Sequence, residues 1–147
     1  MKRIFDLIIA TICAIILSPI SLVILIIIKL ESQGPIFFST QRLGKNGRLF
    51  RIYKFRTMHV NKENIGPGVT SINDKRITKI GKVLRRIRLD EIPQLLNIIK
   101  GDMSIVGPRP EDPKYAGLYK EEYEKLLTVR PGCVSPGWIK YRDEECV

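Results

Sequence analysis

Two adjacent carboxylates, Asp90 and Glu91, stand between a basic run, Arg85, Arg86 and Arg88, and an apolar stretch in which Leu89, Ile92, Leu95, Leu96 and Ile99 recur at three- and four-residue steps. That spacing describes one face of a helix. Asp90 falls where an N-cap belongs, Glu91 and Pro93 fall in the first turn, and Gly101 ends the pattern where positive φ is wanted. A helix start offers free N–H groups and the positive end of the dipole, so arginines beside it suit an anion such as phosphate. The plain alternative is a pair of capping acids, and spacing alone leaves both open.

Two other places offer cations to an anion. Arg109 lies between Pro108 and Pro110. The prolines stiffen a loop that presents one guanidinium, a form suited to bidentate phosphate binding, although a bare Pro-rich turn reads the same way. Arg51, Lys54 and Arg56 alternate with apolar residues along a predicted strand, as an anion-facing row or a solvated basic face. With His59 the single histidine, a catalytic triad or a multi-histidine metal site is close to excluded. Cys13, Cys133 and Cys146 form no close pair, which argues against a disulfide framework or zinc site and fits a reducing compartment.

The elements that must position these residues follow in order. The sequence has 147 residues and a formal charge of +10, enough for one domain with a core and a preference for anionic partners. Ile4 to Leu30 is almost wholly apolar and long enough to cross a bilayer. It lacks a small-x-small cleavage site, against a signal peptide. Lys2 and Arg3 flank one end and Lys29 the other. The positive-inside rule wants both flanks on one side, and Ser18-Pro19 near the middle allows a bend. A kinked crossing and a re-entrant helix both remain open on these grounds. Ile36–Arg42 and Leu49–Met58 read as a hairpin around Gly44–Gly47, with Phe50, Ile52 and Phe55 inward. His59–Lys75 reads as a long loop. Thr78–Arg88 reads as an amphipathic helix with Ile80, Val83, Leu84 and Ile87 on its apolar side, and Pro113–Val129 as another helix. Trp138 suits a membrane interface or the core.

Taken together, the chain resembles the monotopic phosphoglycosyl transferases, the bacterial sugar transferase family that initiates capsule, lipopolysaccharide and glycoprotein glycans. The marks stand in order: Lys2-Arg3-Ile4-Phe5-Asp6, Ser18-Pro19, Gly34-Pro35, Gln41-Arg42, Tyr53-Lys54-Phe55-Arg56-Thr57-Met58, Leu89-Asp90-Glu91-Ile92-Pro93-Gln94, Gly101-Asp102-Met103-Ser104, Val106-Gly107-Pro108-Arg109-Pro110 and Arg130-Pro131-Gly132. The stretch after Gly132 departs from the commoner family pattern, and the C-terminus is shorter than usual for the family.

The resemblance implies an α+β chain: residues 1–30 as a re-entrant membrane helix broken at Ser18 and Pro19, then 31–147 as a small cytoplasmic domain of short helices with a β-hairpin. It implies that Asp90 and Glu91 are catalytic, with Glu91 a Mg²⁺ ligand. Arg85, Arg88, Arg109, Lys54, Arg56 and Thr57 become the expected substrate-binding residues. It implies transfer of a phosphosugar from a UDP-sugar to polyprenyl (undecaprenyl) phosphate through an aspartyl-phosphosugar. The expected setting is the cytoplasmic face of the bacterial inner membrane, with membrane lipids but no nucleic acid as partners, and oligomeric state left open. Two rival expectations are a membrane-anchored polyanion-binding module and an inactive short fragment of the family.

Overall fold

Residues 1–60, 74, 76–114 and 125–135 are described by the computed structural model. The first element follows from the apolar run: Lys2–Glu31 is a single helix, α1, long and apolar enough by composition to cross a membrane. The break expected at Ser18-Pro19 is not seen: Pro19 lies inside continuous helix. Pro19 has no N–H to give Ile15 O, its partner one turn back. Ser18 Oγ donates to that carbonyl instead at 2.8 Å, and Ser21 Oγ donates to Leu17 O at 2.8 Å.

The hairpin forms as its turn chemistry dictates. β1 (Phe37–Leu43) pairs antiparallel with β2 (Leu49–Phe55), Phe37 opposite Phe55 and Leu43 opposite Leu49. Asn46 (φ 58°) and Gly47 (φ 73°) take the left-handed turn that these two residue types tolerate. Helix α2 spans Lys79–Arg86, shorter than expected at its C-terminal end, and is capped by Thr78 Oγ1, which accepts from Gly81 N at 2.9 Å. A Cβ at Gly81 would overlap the Thr57 carbonyl, so the missing side chain sets how closely α2 lies against the end of the hairpin. This close seat turns Leu84 inward and leaves Val83 and Ile87, read as packing positions, exposed. After a 3-10 turn at Leu89–Glu91, α3 runs over Gln94–Lys100 and ends at Gly101, φ 99°. β3 (Ser104–Val106) and β4 (Gly132–Val134) pair in parallel. There Gly107 and Gly132 meet backbone to backbone, and a Cβ on either would strike the other's strand connection. Most of the His59–Lys75 loop, most of the Pro113–Val129 helix, Trp138 and Cys146 lie outside the described residues.

Two apolar clusters hold the domain, and α1 enters both. Ala10 packs with Ile52, Ile98 and Met103; Ile24 and Ile28 pack with Phe55 and Leu84. Ala10 and Ile24 are about 21 Å apart along a straight helix. Ile52 and Phe55 are about 10 Å apart along β2. No residue between Thr11 and Val23 is buried. Polar ties reinforce each end. Asp6, 3% exposed inside the apolar run, accepts from Ser104 Oγ at 2.8 Å and from Ile105 N. Arg3 donates to Ile98 O and Ile99 O, the C-terminal carbonyls of α3, where a cation also meets the negative dipole end. At the other end Glu31 accepts from Lys79 N at 2.7 Å and from Ile80 N, joining α1 to the start of α2.

Asn97, fully buried on α3, stands in for a third strand beside β2: Oδ1 accepts from Tyr53 N at 3.1 Å and Nδ2 donates to Arg51 O at 2.7 Å. Asn97→Ala strands both strand groups in the interior. We expect it to cost about 2–4 kcal/mol, seen as a lower thermal midpoint of the detergent-solubilised chain. An unchanged midpoint would mean water replaces the amide.

Candidate active site

The acid pair is positioned by an unusual backbone step. α2 ends at Arg86, and Arg88 then takes φ 57°, ψ 22°, the left-handed region that non-glycine residues seldom occupy. The chain reverses there into the Leu89–Glu91 turn. Leu89 and Ile92 pack against the cluster of Phe55 and Leu84. Their burial carries Asp90 inward to 7% exposure, while the Glu91 side chain stays partly accessible. Asp90 is therefore not the N-cap of α3. Pro93 holds that position and no side chain caps the helix, because the turn diverts the acids before α3 begins. A seven-residue helix so begun leaves the charge of any bound anion to neighbouring cations.

Those cations come from two elements. Lys54, on β2, donates to Glu91 Oε1 at 2.7 Å. Arg85, from the last turn of α2, donates through Nε to Thr57 Oγ1 at 2.8 Å and lies in the electrostatic reach of Asp90. Burial pushes the Asp90 carboxyl above the ordinary carboxylate range, and the Glu91 charge adds to this; Lys54 and Arg85 oppose it. Burial also lowers the Arg85 guanidinium, against the pull of Asp90. Asp90, Glu91, Lys54 and Arg85 thus form one electrostatic group. Cys133, on β4, belongs to its margin: burial and the Glu91 charge push its thiol up to about 12, leaving it protonated and inert. Nothing in its sequence context had placed Cys133 here.

Arg56 and Arg109 go elsewhere, and Thr57 reaches the group only through Arg85. Arg56 is 5% exposed and lies one residue beyond β2. Its guanidinium donates to Gln33 O at 3.0 Å, to Ser32 O at 2.7 Å and to Ser32 Oγ at 2.8 Å. It clamps the end of α1. Thr57 is buried; its hydroxyl accepts from Arg85 and its carbonyl from Thr78 N, so it positions Arg85. Arg109 is exposed on the loop after β3, beside a cavity of about 450 Å³ that Leu43, Pro108, Leu127, Pro131 and Ser135 also line. Among the described residues, neither acid nor Lys54 nor Arg85 lines that cavity.

This arrangement offers a shielded carboxylate beside a second, cation-paired one, with an arginine fixed by a threonine. It suits attack on a phosphate whose charge is held by the neighbours. A family described as bacterial sugar transferase matches residues 1–146. The chain is 44% identical over 142 residues to a UDP-N-acetylgalactosamine-undecaprenyl-phosphate N-acetylgalactosaminephosphotransferase of Aeromonas hydrophila, covering 95% of this chain and 33% of that protein. It is 39% identical over 158 residues to the exopolysaccharide production protein ExoY of Sinorhizobium fredii, covering 97% and 70% respectively. With the UDP-glucose:undecaprenyl-phosphate glucose-1-phosphate transferase of Escherichia coli it shares 38% identity over 147 residues, 95% of this chain and 30% of that one. The chain thus spans about a third of the Aeromonas and Escherichia relatives.

Proposed function

Because the chain belongs to the bacterial sugar transferase family, we propose that it transfers a phosphosugar from a UDP-sugar to polyprenyl phosphate, with Asp90 as the nucleophile. The observation that carries this reading is the buried Asp90 carboxyl set against Glu91, Lys54 and Arg85. In the first half-reaction Asp90 Oδ attacks the β-phosphorus. The bond from that phosphorus to the bridging oxygen breaks, UMP departs, and an acyl phosphate joins Asp90 to the sugar phosphate. In the second, a phosphate oxygen of the polyprenyl acceptor attacks the same phosphorus, and Asp90 leaves as a free carboxylate. Arg85, steadied by Thr57, faces the phosphoryl oxygens as charge develops on them.

Mg²⁺ fits the donor set. Among the described residues no third His, Cys, Asp or Glu joins the pair in a metal-holding group. One or two carboxylates with phosphate oxygens and water is the set that Mg²⁺ takes at phosphoryl-transfer sites. Glu91, the more accessible acid, would hold it, and the bound ion would supply charge neutralisation for the diphosphate.

The contacts of α1 support a re-entrant course, entered from whichever face holds the domain. Both its ends are tied to one domain, through Asp6 and Ala10 at one end and Ile24, Ile28 and Glu31 at the other. Its unburied middle carries Ile12, Ile15, Ile16, Ile20, Leu22 and Val23 outward, as lipid contact requires. On this reading the acid pair sits near the membrane surface, within reach of a lipid-borne acceptor and a soluble donor.

The deciding experiment is UMP release by the purified chain with polyprenyl phosphate and Mg²⁺ across a panel of UDP-sugars. One sugar should give release. Release from none, by a folded and membrane-bound chain, would favour the inactive-fragment reading. Salt-sensitive binding to nucleic acid without release would favour the polyanion module.

A further inference from the structure

Lys54 meets Glu91 at 2.7 Å, and the two side chains are only 29% and 24% exposed. The same ammonium acts on Asp90, whose carboxyl it pulls down, and on Cys133 across the site. Lys54 thus pairs with Glu91 from β2, within electrostatic reach of Asp90, and among the described residues it is the cation nearest the accessible acid. Its strand is fixed from both sides, by the β1 ladder along one edge and by Asn97 against Arg51 O and Tyr53 N along the other. The ammonium is delivered by a rigid element rather than a loose tail.

This creates a competition. A divalent cation must take a Glu91 oxygen that Lys54 already pairs, and it must approach a positive charge to do so. With no third metal-ligating side chain among the described residues, the protein alone has little to offer in return. A diphosphate changes the balance, because its oxygens supply ligands for the ion and a new anionic partner for Lys54.

We propose that Lys54 is the resident counter-ion of Glu91, excluding divalent metal from the donor-free protein, so that Mg²⁺ enters only together with the diphosphate donor. The entry of Mg²⁺ with the donor rests on the function proposed above. The exclusion of metal by Lys54 rests on the geometry alone.

Mn²⁺ serves as the probe, with free Mn²⁺ read by electron paramagnetic resonance against the full chain in detergent micelles. The donor-free wild type should leave submillimolar Mn²⁺ essentially free. Lys54→Met should bind one Mn²⁺ tighter than the wild type by roughly ten- to a hundredfold. Lys54→Arg, which keeps the charge, should behave as the wild type, and adding Glu91→Gln to Lys54→Met should abolish the gain. Thermal melts establish that each variant is folded. Tight Mn²⁺ binding by the donor-free wild type would overturn the proposal without any variant. A folded Lys54→Met with no gain would overturn it as well. Should Lys54→Met gain Mn²⁺ while UDP-sugars recruit none to the wild type, the exclusion by Lys54 stands and the UDP-sugar reading falls.

Discussion

Asp90→Asn should abolish UMP release and at the same time make the folded chain more stable at neutral pH. The substitution keeps the shape and removes the nucleophile, so a loss of about 10,000-fold or more is expected, with no sugar-phosphate adduct on the protein. The stability gain follows from the raised Asp90 pKa. A carboxyl whose folded pKa lies above its unfolded value binds protons more readily in the native state. Stability then falls as pH rises between the two values, and the full penalty is present above the folded one. Asparagine carries no such penalty, so its thermal midpoint should exceed the wild type's at neutral pH and the two should converge in acid. Turnover has the opposite sense: it requires the ionised carboxylate, and should fall as pH drops through a value above the ordinary 3.8 of an aspartate. Normal UMP release by Asp90→Asn would remove Asp90 from the mechanism. A lowered midpoint at neutral pH would show that the carboxylate is stabilised where it lies.

Much of this arrangement is legible in the sequence, and its failures have physical causes. The hairpin and its turn follow from local chemistry at Gly44–Gly47, and the end of α3 from Gly101. Arg85 lies within electrostatic reach of Asp90, as the basic run before the acid pair suggests. Capping rules misplaced Asp90, because the left-handed Arg88 starts a separate turn that no local pattern announces. Strand alternation put Lys54 and Arg56 on one face, yet β2 stops at Phe55, and beyond it Arg56 turns to the carbonyls of Ser32 and Gln33 just past α1. Apolar periodicity over-read α2, since Gly81 decides which of its residues can approach the hairpin. Asp6 is the instructive omission. A lone acid in an apolar run, three residues past Arg3, signals a buried partner, but Ser104 lies 98 residues away and only the fold brings it near.

Arg56→Leu should damage stability rather than substrate affinity. The change removes donors from the backbone carbonyls of Ser32 and Gln33 at the end of α1 and from Ser32 Oγ. A cost of about 3 kcal/mol or more is expected, since each acceptor loses a bond to a charged donor. Arg56→Lys should recover part of it, because an ammonium cannot span the same acceptors as a planar fork. In the fraction that stays folded, the KM for UDP-sugar should be unchanged. A raised KM with an intact thermal midpoint would return Arg56 to the substrate. The same contacts bear on membrane topology. In the wild type, tags placed before Met1 and after Val147 should both resist protease added to sealed, outward-facing cells, and both should be cut once the membrane is opened. Cleavage of the first tag alone from outside would place the two ends of α1 across the bilayer. That outcome cannot coexist with Asp6 bonded to Ser104 while Glu31 is bonded to Lys79, for both partners belong to the one domain that Ile52 and Phe55 help to hold together.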